Sequence, residues 1–67
     1  MIGVRINGEP ARLPEGTHLR ALVTQRVERV EGVAVACNDA VVPRSQWAET
    51  RLSDGDRIEI LVAAQGG

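Results

Sequence analysis

The sequence predicts an α+β domain, a small mixed sheet with a single helix laid over one face. Residues 2–6 and 57–62 alternate apolar and polar side chains, the two-residue period of half-buried strands. Leu19, Leu22, Val23, Val27 and Val30 fall on one stripe at helical spacing, with Arg20, Arg26, Glu28, Arg29 and Glu31 filling the other side. Turn signals punctuate the chain between these segments: Asn7-Gly8, Pro14-Glu15-Gly16, Asn38-Asp39 and Ser53-Asp54-Gly55-Asp56.

Each element follows from its residues. Ile2, Val4 and Ile6 share the inner face of the first strand. Asn7-Gly8 tolerates positive φ at both turn positions, so residues 9–13 return as a hairpin partner, and Pro10 confines that strand to an edge. Thr17 is the expected N-cap of a helix of about 13 residues, roughly 20 Å long, with Gly32 as its C′ residue. Val33, Val35 and Cys37 share one face of a third strand, and Ala34 and Ala36 take the other. Val41-Val42 is a short extended piece stopped by Pro43. Residues 44–52 read as a loop with one helical turn and with Trp47 and Leu52 inside. The last strand turns Ile58, Ile60 and Val62 inward and Arg57, Glu59 and Leu61 outward. Strand, strand, helix, strand, short strand, strand is the order of a β-grasp (ubiquitin-like) domain. The expected domain covers residues 1–62, with an extended, flexible Gly-Gly tail over 63–67. One sheet face is left open, carrying Arg5, Arg57, Glu59 and Leu61.

Composition narrows the function. The 67 residues suffice for one small domain. One Cys cannot close an internal disulfide, and one Cys with one His cannot complete a four-ligand zinc site, so no metal or bound cofactor is expected. The net charge is −1 and Trp47 is the only aromatic residue, against the basic excess and stacking platforms of nucleic-acid binders. No apolar run approaches a bilayer span and the first residues alternate instead of forming a leader, so the expected location is the cytoplasm. All eight basic residues are Arg. Codon preference explains this; chemically, it also leaves no lysine amine to attack an activated acyl group.

Catalytic machinery is not visible. There is no glycine-rich phosphate loop. His18, beside the helix start, has no nucleophile to serve and is expected at the surface. Cys37 is expected as an inert core thiol. Asp54 and Asp56 bracket Gly55, a pattern for turn formation through side chain to backbone hydrogen bonds. What remains is Gly66-Gly67. Two residues without Cβ can thread a narrow channel, and a terminal glycine carboxylate is the least hindered acyl group a protein can present.

Three segments, Val41-Val42-Pro43-Arg44-Ser45-Gln46-Trp47, Leu52-Ser53-Asp54-Gly55-Asp56-Arg57-Ile58-Glu59-Ile60 and Gln65-Gly66-Gly67, resemble the ThiS family, the sulfur carriers of thiamine (thiazole) biosynthesis. The similarity spans essentially the whole chain; Cys37 departs from it, standing where the family usually has an aliphatic residue. It implies a carrier without catalytic activity of its own. An E1-like adenylating enzyme (ThiF or a related protein) would use ATP to activate the Gly67 carboxylate. A sulfur-donor system would convert it to a thiocarboxylate, and thiazole synthase (ThiG) would accept the sulfur. Gly66 would serve tail threading. Arg57, Glu59 and Leu61, with Arg44 and Trp47, are the candidate partner contacts, although Trp47 also reads as a staple between loop and core. The small subunit of a molybdopterin-synthase-like complex and a ubiquitin-like protein modifier use the same kind of tail and stand as alternatives.

Overall fold

The structure, a computed structural model, describes residues 1–63. The strands are β1 (Ile2–Ile6), β2 (Glu9–Leu13), β3 (Val33–Cys37), β4 (Ala40–Val41) and β5 (Arg57–Val62). The helix α1 spans Leu19–Arg26, and a 3-10 helix spans Arg44–Glu49. The sheet order is β2-β1-β5-β3-β4. β1 and β5 pair in parallel at its centre, and the other neighbours are antiparallel. This is the expected β-grasp arrangement, with β2 at an edge, where Pro10 costs no central ladder bond.

The core forms where the strand alternation meets the helical stripe. Ile2, Val4, Ile6, Leu13, Val35, Ile58 and Ile60 from the sheet pack with Leu19, Leu22 and Val23 from α1 and with Trp47 and Leu52. The two hairpin turns rest on residues that accept left-handed backbone: Asn7 (φ 51°) and Gly8 (φ 85°), then Asn38 (φ 52°) and Asp39 (φ 72°).

The helix is shorter than its periodicity suggests. It has 8 residues and ends as Val27 turns extended (φ −130°) while still donating to the Val23 carbonyl at 3.0 Å. Glu28, Arg29 and Glu31 are not poor helix formers; the chain must turn back to start β3, and that tertiary demand overrides propensity. Val27 and Val30 still reach the core edge, half-buried, from outside the helix. Gly32 (φ 76°) serves the turn into β3 instead of capping α1.

The N-cap also moves by one residue. The Thr17 hydroxyl donates to the Pro14 carbonyl at 2.6 Å, so it is occupied by the turn. His18 takes the N-cap position without a side-chain cap bond and is half-buried, not on the open surface. Backbone bonds from Leu19 to Thr50 (2.8 Å) and from Leu52 to Thr17 (3.0 Å) tie the helix start to the segment after the 3-10 helix. Two more inward assignments change. Cys37 is half-buried because it lies at the end of β3 opposite Ile58. Val62 is 61% exposed because α1 stops short of this end of the sheet.

Candidate functional site

β5 lies between β1 and β3, and its start is held tightly. In the turn before it, Gly55 (φ 89°) allows the Asp56 N–H to reach the Ser53 carbonyl at 3.1 Å. The Asp56 carboxylate accepts from Ser53 N at 2.7 Å and from Asn38 Nδ2 at 2.9 Å. Asn38 Oδ1 accepts from Arg57 N at 2.9 Å, which joins the β3–β4 turn to the first residue of β5. Asp54 accepts from Gly3 N at 2.7 Å, and Gly55 N donates back to the Gly3 carbonyl at 2.7 Å. Asp56 thus closes the turn as its pattern suggests and also reaches Asn38, whereas the Asp54 carboxylate ties the turn to β1.

The far end of β5 is held differently. On the β3 side, pairing runs to Val33↔Val62 and continues with Ala63 N to the Gly32 carbonyl at 2.8 Å. On the β1 side, strand pairing stops at Ile6↔Ile58, and the Asn7 side chain alone continues to Ile60. Beyond lies the segment that ends in Gly66 and Gly67; both candidate residues fall outside the described residues.

The open face has two halves. Over β1 and β2, a shallow depression of about 740 Å³ is lined in part by Gly3, Arg5, Pro10, Arg12 and Arg57. Arg57 pairs with Asp39 at 2.8 Å, both side chains well exposed, so that pair adds little stability. The other half sets the Glu59 carboxylate among apolar side chains. Leu61 stands opposite Ala34, Glu59 opposite Ala36, and Ala36 opposite Val41. The two alanines make a low floor beside Leu61 and Val41, which are 67% and 76% exposed. Arg57, Glu59 and Leu61 therefore share this face as the alternation implies. Val41 joins them, a member that local sequence does not reveal because its face follows from pairing with β3.

The remaining candidates separate. Arg44 is exposed at the start of the 3-10 helix. Trp47 is 1% exposed and its indole Nε1 donates to the Val42 carbonyl at 2.8 Å. It is a core residue, and its side chain presents no surface to a partner; the correction follows from its apolar area, which closes the space beside α1. Burial pushes the Cys37 thiol up, and the Asp56 carboxylate raises it further, so the thiolate is suppressed. Among the described residues, no group of three His, Cys, Asp or Glu side chains could hold a metal ion, and no helix is long and apolar enough to cross a membrane.

The chain shares this architecture with known proteins along almost its whole length. It is 33% identical over 64 residues to the sulfur carrier protein ThiS of Escherichia coli (strain K12), covering 96% of this chain and 97% of that one. It is 34% identical over 62 residues to a thiazole synthase of Paramagnetospirillum magneticum, covering 92% of this chain but 19% of that protein. The crystal structure of the thiamine biosynthesis protein ThiS from Geobacter metallireducens superposes with a TM-score of 0.83 at 29% identity, covering 98% of this chain and 100% of that one. The sequence model of the ThiS family matches residues 4–67, from the first strand through both terminal glycines, and the chain belongs to the ThiS family.

Proposed function

We propose that this protein is a sulfur carrier of thiamine biosynthesis whose reactive group is the Gly67 carboxylate. The observation that carries this is the match to the family through residue 67, with β5 leading into that segment from the centre of the sheet. A terminal carboxylate has a pKa near about 3.5 and is an anion at neutral pH, a poor electrophile. Activation therefore needs a partner. An E1-like adenylating enzyme joins the carboxylate to the α-phosphate of ATP, releasing pyrophosphate. Sulfide released by the sulfur-donor system then attacks the acyl carbon as HS⁻ and expels AMP, leaving a thiocarboxylate and releasing a proton to the solvent.

Thiazole synthase is the proposed acceptor. A thiazole synthase with a segment similar to this chain supports that pairing. In this reading the carrier is not itself an enzyme, it binds no cofactor, ATP belongs to the activating partner, and the reaction takes place in the cytoplasm. The open face with Arg57, Glu59 and Leu61 is the proposed docking surface.

The test is to incubate the chain with the adenylating enzyme, ATP and a sulfur donor, then weigh the intact protein and its C-terminal fragment. The expected product has one oxygen replaced by sulfur in that fragment. Deleting Gly67 should abolish it, and Cys37→Ser should not. Loading that vanishes in Cys37→Ser and persists without Gly67 would place the sulfur on the cysteine and overturn the proposal.

A further inference from the structure

In a parallel ladder, slanted hydrogen bonds link every second residue of a strand to two positions on its neighbour. β1 and β5 begin this way, with Arg5 N to the Asp56 carbonyl at 2.9 Å and Asn7 N to the Ile58 carbonyl at 2.8 Å. The next rung would use the backbone carbonyl of residue 7 and the N–H of residue 9. Neither serves, because Asn7 (φ 51°) and Gly8 (φ 85°) turn the chain away toward β2. The Asn7 carboxamide fills the rung instead. Its Oδ1 accepts from Ile60 N at 2.8 Å and its Nδ2 donates to the Ile60 carbonyl at 3.2 Å. Only one orientation of the amide satisfies both bonds, since the two partners have opposite polarity.

This rung is the last restraint on the β1 side among the described residues. Past Ile60, Leu61 and Val62 are exposed, and the strand is held through β3 alone. The direction in which the chain leaves the sheet depends on two lines of bonds: those to β3, ending with Ala63 to Gly32, and the pair from Asn7. Without the second line, β5 past Ile58 keeps only its β3 pairing and the packing of Ile60.

We propose that Asn7 is a positioning residue: its carboxamide stands in for a missing strand residue against Ile60 and sets the direction in which β5 delivers the carboxyl-terminal segment to the enzymes that act on it. This rests on the carrier reading above. Asn7 does not touch the reacting atoms. Small misplacements of a reacting group carry large rate costs, because orientation contributes strongly to the rate. Docking through the open face is untouched, so the effect falls on turnover.

The experiment measures adenylation of the full chain, as pyrophosphate released by its adenylating enzyme, for wild type, Asn7→Gly and Asn7→Asp. Glycine removes the carboxamide and accepts the same positive φ, so the turn survives. Asn7→Gly is expected to lower kcat on the order of ten- to a hundredfold with little change in KM for the carrier. Amide exchange at Ile60 should accelerate in parallel. Asn7→Asp keeps an acceptor for the Ile60 N–H and should recover part of both. A merely structural role gives the other pattern: a smaller folded fraction raises the apparent KM, leaves kcat alone and fades on cooling. That pattern, or unchanged kcat in Asn7→Gly despite faster exchange at Ile60, would overturn the inference. A wild-type chain that elicits no pyrophosphate release would instead remove the carrier reading, and the positioning role with it.

Discussion

The two faces of the sheet are built from the same strands, and β5 shows how differently they are used. Ile58 and Ile60 are 1% and 7% exposed beneath α1 and Trp47, while Leu61 on the opposite face is 67% exposed. One residue of displacement along the pleat separates a side chain that stabilises the fold from one that is available to a partner. The covered face spends large apolar side chains on a small volume. The open face pairs exposed Leu61 and Val41 with alanines at one end and arginines at the other, a surface with few contacts for folding to lose.

That difference is breakable residue by residue. The largest effect belongs to the covered face. Trp47→Ala removes the largest fully buried side chain and its bond to Val42, at a cost of about 3–5 kcal/mol. A single core of this size contributes about that much in total, so circular dichroism should show a chain largely unfolded at room temperature. A cooperative melt near the wild-type midpoint would contradict the assigned role.

Cys37 sits on the covered face, half-buried at the end of β3 against the core. Its raised thiol should react slowly with iodoacetamide in mildly alkaline buffer compared with an unstructured cysteine peptide. The sign for Asp56 is fixed: its negative charge opposes the thiolate, so Asp56→Asn should lower the thiol pKa and speed alkylation. Unchanged alkylation in that variant would mean the charge is not felt. Cys37→Ser should cost about 1 kcal/mol, less than at a fully buried site.

On the open face, Leu61→Asp should shift stability by less than about 1 kcal/mol. It should also weaken capture of the adenylating enzyme and thiazole synthase in pulldowns. Full retention of both partners would remove this half of the sheet from the docking surface. The smallest effect is expected for Arg57→Lys, which keeps the charge opposite Asp39 and should leave the melting curve unchanged. A lysine amine can attack an activated acyl group and a guanidinium effectively cannot. Self-linked product during activation of this variant would show that the Lys-free surface protects the activated end. A clean mass profile would leave codon preference as its explanation.

Much of the site was legible before the fold. The Asp54 and Asp56 turn, the outward set Arg57, Glu59 and Leu61, and the hairpin at Asn7-Gly8 all follow from local patterns, because pleat period and turn preference act over a few residues. Asn7 was legible only as a turn residue. Its second role, toward Ile60, depends on a strand 53 positions away, and nothing in the dipeptide Asn-Gly distinguishes it. Arg44 and Trp47 lie three residues apart in one segment, yet one is exposed and the other buried, since that short segment is placed by the gap beside α1 and not by its own periodicity.

By itself, the sequence determined which residues alternate, where the chain turns, and that a single helix covers a single sheet. These are consequences of backbone geometry and side-chain polarity within a handful of residues. Only the tertiary structure decided that β5 sits in the centre beside a parallel β1, that α1 stops at Arg26, and that Val62 consequently stands exposed at the strand's end although its alternation points it inward. The physical reason is that burial belongs to pairs of surfaces. A side chain's direction is set by its own strand, but whether anything covers it depends on where a distant element ends.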